Sequence, residues 1–79
     1  MKTNVSIKFN SIEEYREIEK KLIELGYKSA KGWNNAVIQI HKKGFVNIED
    51  KLFYLDSTQI YRTLYNSLQE FLNDNAKTH

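Results

Sequence analysis

The chain has 79 residues, no cysteine, no proline, a formal net charge of +2 and 41% hydrophobic residues. A chain of that length holds one modest core, burying only about 60 to 65% of the surface its unfolded form exposes, so a single domain over residues 1–79 is expected; without cysteine, disulfide staples and thiolate metal sites are excluded. MKTNVSIKFN has no signal-peptide pattern and no segment approaches the roughly 20 apolar residues of a membrane span, which reads as a cytoplasmic protein with no membrane partner.

In chain order, Val5, Ile7 and Phe9 alternate with Asn4, Ser6 and Lys8, the period of a strand with one buried and one wet face. Asn10 or Ser11 can cap a helix; with Ser11 as the cap, Glu14 has capping-box spacing, and Tyr15, Ile18, Leu22 and Leu25 recur at helical intervals up to Gly26, a natural left-handed C-cap. A helix over about Ser11 to Leu25 follows. Lys28 to Asn35 fits an edge strand or a loop. Ala36, Ile38 and Ile40 alternate with Val37, Gln39 and His41, which predicts a strand. Phe45 to Ile48 and Leu52 to Leu55, separated by Glu49, Asp50 and Lys51, predict a hairpin. Asp56 with Gln59 repeats the capping spacing more weakly. Ile60, Tyr61, Leu64, Leu68, Phe71 and Leu72 then form an apolar stripe, with Tyr65 at its edge, for a second helix from about Ser57 to Asn73. Asp74 to His79 read as a frayed tail.

The expected order is β-α-β-β-β-α. Two amphipathic helices and one apolar sheet face give a two-layer α+β sandwich: a three- to four-stranded, mainly antiparallel sheet with both helices on one face. Asn4, Ser6, Lys8, Gln39 and His41 would then lie on the open face.

Between Leu25 and Ile48 there is no acidic residue, while Lys28, Lys31, Lys42 and Lys43 accompany Trp33, the only tryptophan, and His41. Such charge asymmetry bears on partners and points to an acidic protein surface or a nucleic acid. His41 has lysines around it and no orienting carboxylate or nucleophile nearby in sequence, so general-base chemistry has no support. One internal histidine and solvated carboxylates on the first helix make no metal site, and three isolated glycines build no phosphate loop. The sequence therefore predicts no enzyme, and implies no cofactor and no metal.

Tyr54 alternates with Phe53 and Leu55 and is expected on the open face beside Lys8 and His41, as a stacking platform for a nucleic acid would be. RNA-recognition modules place several aromatics on their central strands, whereas the first strand here offers Asn4, Ser6 and Lys8. Trp33 has two readings, a lid folded over one end of the core or an interface anchor rimmed by lysines. Lys28, Lys31, Trp33, His41, Lys42, Lys43 and Tyr54 are the candidate binding residues.

The opening VSIKFNSIEEYREIEKKLIELGYK and the hairpin FVNIEDKLFYLDS resemble small phage- and prophage-encoded accessory proteins of low-GC bacteria, in which a strand, a capped helix ending in LGYK and hairpin strands follow one another. That resemblance implies stoichiometric binding and inhibition of a host or defence protein inside the bacterial host cell. It transfers no functional residue. Beside this protein-binding reading stand two others: a nucleic-acid-binding domain that uses the basic 28–43 segment, and a homodimer or larger homo-oligomer that buries the apolar surplus of the last helix.

Overall fold

A computed structural model describes residues 4–30 and 34–76. Among them the chain is α+β, with five strands and three helices: β1 (Asn4–Phe9), α1 (Ile12–Glu24), β2 (Lys28–Ser29), α2 (Asn35–His41), β3 (Gly44–Glu49), β4 (Leu52–Asp56), β5 (Leu64–Tyr65) and α3 (Leu68–Ala76). The sheet order is β2-β4-β3-β1-β5. β1, β3 and β4 are antiparallel neighbours, while β2 and β5 add parallel pairs at the two edges, so the sheet is mixed. Both edge strands are two residues long, which leaves little free ladder for another chain to join.

The first helix forms as its sequence dictates. The Ser11 hydroxyl accepts from the Glu14 N–H at 3.1 Å, and the Glu14 carboxylate reaches back to the Asn10 N–H at 3.2 Å. At its far end Gly26 takes a φ of +93°, its N–H donates to the Ile23 carbonyl, and the Tyr27 N–H donates to the Leu22 carbonyl. That is a Schellman close, with Tyr27 and Leu22 buried together beneath it. α3 starts with the same device: the Ser67 hydroxyl accepts from the Glu70 N–H and Glu70 accepts from the Asn66 N–H.

One face of the sheet makes the core. Val5, Ile7, Phe9, Val46, Ile48, Phe53 and Leu55 pack against Tyr15, Ile18 and Leu22 of α1, Ile38 of α2 and Phe71 of α3. Tyr65 joins them from β5, edge-on to the Phe71 ring at 5.6 Å, and its hydroxyl donates to the Asp74 carboxylate. All three helices therefore lie on one side of the sheet.

The expected α+β layers are present, but the sheet has five strands and not three or four, its antiparallel centre is flanked by parallel edge pairs, and three helices and not two cover it. Three local expectations are also corrected. Ala36 to His41 is a helix and not a strand: Asn34 caps it by accepting from the Val37 N–H at 2.9 Å, and Lys42 ends it in the left-handed region. Its apolar alternation is no guide, because Ile38 alone enters the core while Ile40 is 76% exposed. Gln39 and His41 are consequently not on the open sheet face. Residues Ser57 to Thr63 are not helical, and the last helix begins only at Leu68. Asp56 accepts from the Thr58 N–H at 3.0 Å, which makes an Asx turn that sends the chain across the sheet. Finally, Asp74 to Ala76 belong to α3 and are not a frayed tail; residues 77–79 lie outside the described residues.

Candidate functional site

The register of β3 against its neighbours sorts the face opposite the helices into three rows. Lys28, Leu52, Glu49 and Asn4 form one end, Tyr54, Asn47, Ser6 and Leu64 the middle, and Asp56, Phe45 and Lys8 the other end. The 57–63 segment crosses the middle row as a strap on its way from β4 to β5. It is held by a polar clamp. Ser6 and Asn47 are both fully buried; the Ser6 hydroxyl donates to Asn47 Oδ1 at 2.5 Å and accepts from the Tyr61 N–H at 3.1 Å. Asn47 Oδ1 also accepts from the Ile60 N–H at 3.1 Å, and Nδ2 donates to the Thr58 carbonyl at 3.3 Å. The Ser6 N–H donates to the Thr63 carbonyl at 2.8 Å. Desolvating these groups is tolerable because they satisfy one another, and no buried side-chain polar atom among the described residues lacks a partner.

Around the strap the face is apolar and aromatic. Leu52 and Ile60 are each 46% exposed, and Phe45, Tyr54, Tyr61 and Leu64 are half-buried. The Tyr61 hydroxyl is pushed up to about 12 by burial, reinforced by the neighbouring Tyr54 hydroxyl and Glu49 carboxylate. Tyr54 is therefore on the open face as expected, but within a tyrosine pair under the strap's edge and not beside His41.

The acid-free stretch is divided. Lys28 lies in the row of Glu49, whereas Lys42 and Lys43 precede β3 at the opposite end. Glu49 and Phe45 are four residue steps apart along β3, about 14 Å at the rise of an antiparallel strand, and Lys43 stands two residues beyond Phe45. Lys31 and Trp33 lie outside the described residues. At the Lys43 end, His41 at the close of α2 and Lys43 in the turn after it line one cleft with Lys8 of β1, a grouping that Lys8 and Lys43, 35 apart in sequence, do not advertise. Lys8, Lys42 and Lys43 make no ion pair among the described residues; the salt bridges there are Arg16 to Glu19 and Lys21 to Glu24.

Among the described residues no group of three or more His, Cys, Asp or Glu could hold a metal ion, and no helix is long and apolar enough to cross a membrane. Sequence reasoning missed Leu52, Ile60, Phe45 and the Ser6–Asn47 clamp. The one available signal was Asn47, a polar residue between Val46 and Ile48 in a strand-like run. No protein-family model matches the chain, and comparison with curated proteins and with solved structures gives no match.

Proposed function

We propose that the protein is a non-enzymatic binding module that captures a larger protein through the strapped face of its sheet. The observation that carries this reading is the makeup of that face: Tyr54, Ile60 and Tyr61 give it an apolar and aromatic centre, which Leu52 extends into one end row, and Lys8, Lys28, Glu49 and Asp56 give it a charged border. Interfaces have this anatomy, with tyrosine among the residues that contribute most to affinity. At the Lys8 end Lys8, Lys42 and Lys43 outnumber Asp56, which favours a partner surface with carboxylates there. Stoichiometric inhibition of a host or defence protein is what the resemblance to phage accessory proteins adds.

The test is affinity capture from a low-GC bacterial lysate with and without nuclease, using the wild type and Ile60→Glu. A protein retained through nuclease treatment by the wild type and lost by Ile60→Glu supports the reading. Loss of all bound material to nuclease, with direct binding of naked DNA or RNA that falls steeply with salt, would favour the nucleic-acid reading instead. Light scattering over a concentration series separates out the third: a dimer that Ile60→Glu dissolves would make a second copy of the chain the occupant of this face.

A further inference from the structure

The end of the sheet where β1 stops and β3 starts carries a cleft of about 280 Å³, near the lower size limit of small-molecule sites. Its floor is apolar, made by the buried Phe9, the buried Gly44 and the half-buried ring of Phe45. Its rim is cationic. Lys8 comes from β1 and Lys43 from the α2–β3 turn, while His41 at the end of α2 adds an imidazole and Ser57 a hydroxyl from the start of the strap. No carboxylate is among its lining residues; Asp56, whose Oδ1 accepts from the Thr58 N–H, is the cross-strand partner of Phe45 on β4 and stands on the other side of that residue from Lys8. An apolar floor alone would suit many ligands. Paired with two ammonium groups and no carboxylate in the lining, it favours a flat apolar body bearing a compact anion. A phosphate monoester carries a charge of about −1.5 to −2 at pH 7 and offers three acceptor oxygens, which matches two lysines better than a single carboxylate does.

We propose that this cleft binds a nucleoside monophosphate, its phosphate between Lys8 and Lys43 and its base against Phe45. The inference shares Lys8 and Phe45 with the strapped face but does not need Leu52 or Ile60, and titration with a small molecule tests it without any protein partner. Lys8 and Phe45 are cross-strand neighbours, so one phosphate contact and the base site are fixed by the same strand pair, while Lys43 comes from the turn that leads into β3.

The full chain, labelled with ¹⁵N, is titrated at about 150 mM salt with adenosine monophosphate, inorganic phosphate and adenosine. Expected are saturable shifts at the amides of Lys8, Lys43, Gly44, Phe45 and Ser57, with phosphate and adenosine each about tenfold weaker or more. Lys8→Ala and Lys43→Ala should each weaken the nucleotide by about three- to tenfold, the range for losing one exposed charge-assisted contact, while Lys20→Ala on α1 leaves it unchanged. Shifts that do not saturate overturn the proposal. So does adenosine binding as tightly as its monophosphate, phosphate alone binding as tightly as the nucleotide, or an affinity indifferent to both cleft lysines in variants whose melting is unchanged.

Discussion

On the helix side of the sheet, Val5, Ile7, Phe9, Val46, Ile48, Phe53 and Leu55 exclude water by packing against three helices; on the strapped side, Ser6 and Asn47 are equally dry yet are held by directed hydrogen bonds to a loop. The first arrangement tolerates any well-fitting apolar shape, because hydrophobic burial has no preferred direction. The second works only with donors and acceptors in register. The helix side thus supplies most of the stability, while the strapped side fixes where Ile60 and Tyr61 stand.

The comparison can be broken at its strongest point first. Phe53→Ala should cost about 3–5 kcal/mol, the range for truncating a buried phenylalanine, and is read by urea unfolding; a loss under about 1 kcal/mol would mean the helix side is not the core. Asn47→Ala should cost about 2–3 kcal/mol, since it strands the Ser6 hydroxyl, the Ile60 N–H and the Thr58 carbonyl. Its double-mutant cycle with Ser6→Ala should show coupling of roughly 1 kcal/mol or more. Additive losses would dissolve the clamp. Ser67→Ala should cost about 1 kcal/mol through the lost N-cap of α3, whereas Gln59→Ala, at the position sequence spacing favoured, should cost less than about 0.5 kcal/mol.

The smallest effect is a pH dependence. Tyr65 is pushed up to about 12 by burial and by its hydrogen bond to Asp74, and Tyr61 to about 12. A phenol whose folded value exceeds its ordinary 10 adds stability that is complete below pH 10 and fades as pH rises toward about 12, because the unfolded chain releases its proton first. Melting temperature should therefore fall across that window. Tyr65→Phe should flatten the fall more than Tyr61→Phe, since Tyr65 is buried while Tyr61 remains partly in solvent. An equal slope in both variants would contradict this assignment.

What the sequence made legible follows the same division. β1, α1 and the β3–β4 hairpin were readable because their local signals agree with their burial: the alternation of Val5, Ile7 and Phe9, the Ser11 and Gly26 caps, and the turn at Asp50, which takes a φ of +55°. The segment from Ala36 to His41 misled because its alternating isoleucines suit a strand, and one core contact through Ile38 with an Asn34 cap overrides that weak preference. Ile60 to Leu72 misled differently. The stripe spans a real boundary, and the Ser67–Glu70 capping box that marks it was visible inside the run. Among the candidate binding residues, His41 and Lys43 do converge, but on Lys8 and not on Lys28. Where the α2–β3 turn comes down beside the end of β1 decides this grouping, and no residue's own neighbourhood in sequence encodes it.

The central claim is that the strapped face binds and the helix face stabilises. It is tested most directly by comparing partner capture by Leu52→Glu and Ile23→Glu, which place the same charge at residues 46% and 55% exposed, one on the strapped face and one on the outer surface of α1. The account predicts that both variants melt within a few degrees of the wild type and that Leu52→Glu alone loses the partner. Retention by Leu52→Glu with loss by Ile23→Glu would contradict it.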